Sequence, residues 1–190
     1  RPAPSTPRLE PFLQACAEAN IPVCNLTTAA QYFHVLRRQM KRDFVKPLII
    51  MTPKSLLRSG LAASRTEDFT KGSFSEILGA PAVAAPEKME RVILCSGKIY
   101  YDLLSHRGTE KITTATIVRL EQLYPLAEEK LRAILEPFSK AQKIIWCQEE
   151  SRNMVAWSYI EPRLRALLGR GILYARRHAS ATPAGGAPAP

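Results

Sequence analysis

The chain alternates, along nearly its whole length, between segments with a helical apolar period and short runs of aliphatic and β-branched residues. Strands that take turns with helices in this way specify an α/β layer architecture with a mostly parallel sheet, because each helix must cross the sheet face before the next strand can start. Residues 7–19 place Leu9, Phe12, Leu13, Cys16 and Ala17 on one helical face, and residues 21–26 follow as a short strand. Thr27 or Thr28 is positioned to cap a helix whose expected buried stripe is Ala29, Tyr32, Phe33, Leu36 and Met40, with Gln31, His34, Arg38 and Lys41 outside. Residues 48–51 are wholly apolar and read as a strand buried on both faces.

The pattern then weakens. Across residues 59–88, Gly60, Gly72 and Gly79 mingle with Pro81, Pro86 and several alanines, so this stretch reads as a connector crossing the surface between two modules. A second series begins with a strand at 91–95, the turn Ser96-Gly97, a helix carrying Ile99, Leu103 and Leu104, and a strand at 114–120. Pro125, Glu128 and Glu129 suit a helix start, and Leu131, Ile134, Leu135 and Phe138 form its apolar stripe. A strand at 143–147 precedes a helical stretch with Trp157, Ile160, Leu164, Leu167 and Leu168, which Pro162 is expected to kink or divide. Residues 172–174 make a last strand, and the Ala/Gly/Pro-rich residues 184–190 read as a disordered tail.

Composition narrows the function. The net charge of +10 would suit an anionic partner. However, the basic residues fall in two clusters, around Arg37, Arg38, Lys41 and Arg42 and around Arg163, Arg165 and Arg170, without aromatic interleaving or a recognition helix, so no nucleic-acid partner is expected. No run approaches the ~20 apolar residues that span a bilayer, so no membrane span is expected either. Cys16, Cys24, Cys95 and Cys147 are spaced too widely for a C-x-x-C motif and read as small buried hydrophobes in a reducing compartment. His34, His106 and His178 lack partners at ligand spacing, so no metal site is expected.

Two places could carry chemistry. Ser96, Gly97 and Lys98 lie between a strand and a helix, where backbone amides and a lysine can cradle an anion, although the turn lacks both the phosphate-loop and the dinucleotide fingerprints; a plain βα turn with a solvated lysine is the competing reading. Glu149 and Glu150 follow a buried strand at its carboxyl end, where α/β sites form, and read either as a general base or as a capping or interface pair. Tyr100, Tyr101, Trp146 and Trp157 suit packing, and Arg37 and Arg38 beside Tyr32 suit a solvated face, a subunit contact or a phosphate grip. Composition and spacing alone leave an α/β protein without a complete catalytic constellation.

Longer words in the sequence say more. Gln31-Tyr32-Phe33-His34-Val35-Leu36-Arg37-Arg38-Gln39 and Lys46-Pro47-Leu48-Ile49-Ile50-Met51-Thr52-Pro53-Lys54-Ser55 resemble the thiamine-dependent first component of the 2-oxoglutarate dehydrogenase complex. Cys95-Ser96-Gly97-Lys98-Ile99-Tyr100-Tyr101-Asp102, Val118-Arg119-Leu120-Glu121-Gln122-Leu123-Tyr124-Pro125, Trp146-Cys147-Gln148-Glu149-Glu150 and Ala179-Ser180-Ala181-Thr182-Pro183 continue the likeness in the family's order. The resemblance implies the end of a pyrimidine-binding α/β module at 1–58, the connector at 59–88, a transketolase-like C-terminal domain at 89–183 and the tail at 184–190.

It also implies a role. The family decarboxylates 2-oxoglutarate oxidatively, with thiamine diphosphate and magnesium, and passes the succinyl group to a lipoyl-bearing succinyltransferase component. A chain of this extent would lack most of the cofactor site, so it is expected to bind neither group alone and to serve homodimer packing and active-site framing beside the remaining domains of the enzyme. The family's active-site histidine position is occupied here by Pro4, so no catalytic residue is expected in this chain. Glycines of the family are replaced by Val155 and Arg176, which removes backbone freedom there. The expected interface residues are Tyr32, Arg37, Arg38, Glu149, Glu150 and Trp157, and the expected location is the cytoplasm, or the mitochondrial matrix in a eukaryote. The alternative is a stand-alone assembly or dimerisation module without enzymatic activity. Either way the chain should expose apolar area that a partner covers, and should self-associate.

Overall fold

Strand β4 (Arg91–Cys95) is the axis of the fold, with burial alternating along it so that Val92 and Leu94 are fully enclosed. A computed structural model of the protein describes residues 9–79, 85–152 and 156–177. Around β4 lie β3 (Ile77–Leu78), β5 (Ala115–Leu120), β7 (Lys143–Ser151) and β8 (Leu173–Arg177), in the order β3-β5-β4-β7-β8. All neighbours run parallel except β3, which pairs antiparallel with β5. The helices that return the chain between them are α4 (Ile99–Thr109), α5 (Glu128–Leu135) and α6 (Trp157–Leu168). The expected mostly parallel sheet flanked by helices is therefore present.

A second sheet has the order β2-β1-β6, from β1 (Val23–Asn25), β2 (Ile49–Met51) and β6 (Gln122–Tyr124). The first two run parallel and are joined by α2 (Ala29–Lys41), while β6 runs antiparallel to β1. Helix α1 (Leu9–Gln14) precedes them. Because β5 and β6 are separated only by Glu121, one continuous stretch of chain serves both sheets.

The main core lies on one face of the larger sheet. Leu94, Val118, Leu120, Ile144 and Trp146 meet Leu131 and Leu135 of α5, Ile160, Leu164 and Leu167 of α6, and Leu9 and Leu13 of α1. Each such aliphatic side chain contributes about 1.5–3 kcal/mol by leaving water. The stripe expected for α5 is the one observed, with Leu131, Leu135 and Phe138 buried and Ile134 packed beside them. Pro162 does not divide α6, which runs unbroken through it to the left-handed Gly169 at its end.

Three expectations need correction. Helix α2 is turned the other way: its buried residues are Ala30, Gln31, His34 and Val35, while Phe33, Leu36 and Met40 are exposed by 45%, 44% and 85%. The cause is the neighbour it packs against. The irregular 59–79 segment carries backbone groups that need partners, and α2 supplies them: Gln31 Nε2 donates to the Ser75 carbonyl at 2.6 Å, Gln31 Oε1 accepts from the Ser75 amide at 3.1 Å, and His34 Nε2 lies 2.8 Å from the Asp68 carbonyl. Strand β2 is half-buried along its whole length instead of enclosed on both faces, since it forms the edge of its sheet. The 59–79 segment also holds regular structure, the short helix α3 (Thr66–Thr70) and strand β3, whose Ile77 is buried. Pro4, Val155, His178, the 179–184 block and the tail at 184–190 lie outside the described residues, and of Arg176 only the backbone is described.

Candidate functional site

At the carboxyl edge of the larger sheet, β4 and β7 are in register, with Cys95 opposite Cys147, so the turn after one faces the continuation of the other. This brings the two candidate motifs together. Lys98 Nζ lies 3.2 Å from Glu149 Oε1 and 4.0 Å from Asp102 Oδ2. The Ser96 hydroxyl donates to the Leu120 carbonyl at 2.8 Å, and Gly97 adopts φ 72°, with the Asn25 side chain packed where a Cβ would stand. Lysine and glutamate here are partly exposed, so their pairing contributes at most about 1 kcal/mol. Glu150 is more enclosed, and burial pushes its carboxyl above the usual range.

The remaining candidates lie elsewhere. Tyr32 packs against the small cluster of Cys24, Leu26 and Val35 under α2. Arg37 is exposed on that helix, whereas Arg38 is drawn in: its Nη1 lies 3.3 Å from Glu76 Oε1, its Nη2 donates to Gln122 Oε1 at 2.6 Å, and its guanidinium sits 4.1 Å over the Phe74 ring. Trp157, at the start of α6, stacks at a tilt on Tyr174 with ring centroids 4.6 Å apart.

The most fully enclosed polar group was not singled out by the sequence reading. Glu121, in the link between β5 and β6, accepts from the Thr27 amide at 2.8 Å and from the Thr27 hydroxyl at 2.5 Å. Arg119 Nη1 donates to the same hydroxyl at 3.0 Å, and the Tyr101 hydroxyl donates to the Thr27 carbonyl at 2.5 Å. Burial drives the Glu121 carboxyl up to about 7, opposed by the Thr27 hydrogen bonds and the Arg119 charge. The signal available in sequence was a carboxylate at position 121 within an otherwise strand-like run, a residue type almost never fully buried without partners. Chemically, this cluster is a clamp: three side chains of the second series hold the loop that enters α2.

A search for likeness fits this two-part structure. Residues 63–189 match the family model described as 2-oxoglutarate dehydrogenase C-terminal. The chain belongs to that family. Residues 2–60 match the transketolase pyrimidine binding domain. Among relatives of the 2-oxoglutarate dehydrogenase family, the E1 component of Azotobacter vinelandii is 46% identical over 97% of this chain and 20% of its own length. That of Geobacillus kaustophilus is 48% identical over 98% of this chain and 20% of its own, and that of Cupriavidus necator 45% over 97% and 20%. The chain therefore spans about one fifth of the length of these curated relatives.

Among the described residues, no group of three or more His, Cys, Asp or Glu side chains converges as metal ligands. Among the same residues, no helix is long and apolar enough to cross a membrane.

Proposed function

We propose that this chain is the C-terminal portion of a thiamine diphosphate-dependent 2-oxoglutarate dehydrogenase E1 component, and that it frames the active site and packs the dimer without being catalytic alone. The parent activity is oxidative decarboxylation of 2-oxoglutarate with transfer of the succinyl group to a lipoyl-bearing partner. The observation that carries this reading is the order of the two family matches, pyrimidine-binding then C-terminal, along a chain that is nearly all covered by relatives five times longer. The reversed α2 supports it: a helix with Phe33, Leu36 and Met40 outward and its polar face inward is built to be covered on both sides. Its partners on this reading are the remaining domains of the same enzyme and a second copy.

The test is turnover of 2-oxoglutarate with thiamine diphosphate, magnesium and an artificial electron acceptor, on the purified chain and on the chain mixed with the upstream domains of a relative. Activity only in the mixture is expected. Activity in neither would favour the assembly module without enzymatic activity, and activity in the chain alone would overturn the proposal.

A further inference from the structure

Cys95 and Cys147 face each other directly on neighbouring parallel strands, and residues paired in register on such strands project to the same side of the sheet. They occupy the middle of a row that runs Arg119, Cys95, Cys147, Ala175 across β5, β4, β7 and β8. Cys95 is fully enclosed, while Cys147 is only partly covered and has the exposed alanine as its outer neighbour. The pair therefore has one closed side and one open side.

The spacing discriminates between two fates of such a pair. Side chains leaving parallel neighbours in register stay near the strand separation of about 4.8 Å, whereas a disulfide needs its Cβ atoms at about 3.5–4.5 Å. A direct sulfur–sulfur bond is thus disfavoured without backbone movement. An atom inserted between the sulfurs, with bonds of about 2.3 Å to each as in zinc thiolates, spans the wider gap. A structural divalent metal would want four ligands, and no third His, Cys, Asp or Glu converges with these two among the described residues. A trivalent organoarsenical needs only two.

We propose that Cys95 and Cys147 form a dithiol site that takes one soft, trivalent thiophile of the organoarsenical class, bridging β4 and β7. The reaction is a condensation and not a redox step: with an arsenic(III) oxide, the arsenic–oxygen double bond is replaced by two arsenic–sulfur bonds, and the two thiol protons leave with the oxygen as one water. Arsenic stays trivalent. Cys147, being accessible, attacks the arsenic first, and its in-register neighbour closes the ring. Burial holds both thiols above the ordinary cysteine range, so both are protonated at neutral pH and poorly reactive towards alkylating agents that need a thiolate.

The test uses phenylarsine oxide on the folded chain. Intact mass should rise by one phenylarsine oxide less one water, a phenylarsenic unit in place of the two thiol hydrogens, and the melting temperature should rise because the bridge exists only in the native sheet. Alkylation of the folded chain should label the partly covered Cys16 and Cys147, and phenylarsine oxide should protect Cys147 but not Cys16. A small dithiol should reverse the adduct, whereas a monothiol should not. Cys147→Ser and Cys95→Ser should each weaken retention at least tenfold, while the double variant Cys16→Ser/Cys24→Ser keeps it. Should Cys95→Ser fail to fold, the half-buried Cys147→Ser decides alone. Retention undiminished in Cys147→Ser, an adduct bridging Cys16 or Cys24, or an adduct formed only in denaturant would overturn the proposal.

Discussion

Thr27 and Glu121, separated by 94 residues in sequence, share two hydrogen bonds of 2.8 and 2.5 Å inside the protein. The arrangement makes Glu121 the residue whose chemistry is most exposed to test.

Replacing Glu121 by Ala leaves the Thr27 amide unpaired and removes the acceptor of the Thr27 hydroxyl. A loss on the order of 2–3 kcal/mol is expected, read as a lower urea midpoint with unchanged slope.

The same residue sets a pH dependence. Its carboxyl titrates at about 7 in the fold against 4.5 ordinarily, so between those values the native state holds more protons than the unfolded chain. The Glu121 contribution is then fully present below 4.5 and is lost as pH rises to about 7. In Glu121→Gln the stability profile across this window should be flatter than in the native chain, measured by thermal melts at stepped pH; an identical slope in both would refute the assignment.

Gly97 and Gly169 both have positive φ, 72° and 62°, but differ in surroundings: a Cβ at Gly97 runs into the Asn25 side chain, whereas at Gly169 nothing lies within 4 Å. Gly169→Ala should cost about 1 kcal/mol from backbone strain alone. Gly97→Ala should cost clearly more, and a parallel pair of denaturation curves checks the ranking.

The outward face of α2 and the turn that follows it predict behaviour in solution. Met40 and Val45 are almost wholly exposed, so Met40→Lys combined with Val45→Lys should change stability by less than about 0.5 kcal/mol. The same change should reduce self-association, seen by light scattering as a lower mean mass at high concentration. An unchanged mass would place the contact elsewhere.

Thr28 caps α2, its hydroxyl accepting from the Gln31 amide at 3.3 Å. Thr28→Ala should cost about 1 kcal/mol, measurable as a shift in the melting temperature.

Most strands and helices of the second half could be read from their periods, because β4, β5 and β7 carry alternating or continuous aliphatic runs and α5 shows a clean stripe, whereas the three residues of β6 make no pattern. Helix α2 was read inside out, since periodicity locates an apolar face but cannot tell whether the nearest neighbour is apolar. Its neighbour is an irregular segment whose carbonyls and amides demand Gln31 and His34. Strand β3 escaped notice because two residues make no pattern, and its pairing with β5 depends on a partner more than 40 positions away in sequence. Lys98 and Glu149 were each visible as candidates, but only the register of β4 with β7 shows that they answer each other. Glu121 was missed for the same reason: its meaning lies entirely in Thr27.

Strand β6 pairs with β1 across what the family matches divide, one ending at residue 60 and the other starting at 63. Severing the peptide chain between those positions would therefore not release two bodies. The nicked halves would stay zipped by a shared sheet and by the Thr27 clamp, and each alone would expose a raw edge strand, so the heritable unit and the mechanical unit of this protein have different borders.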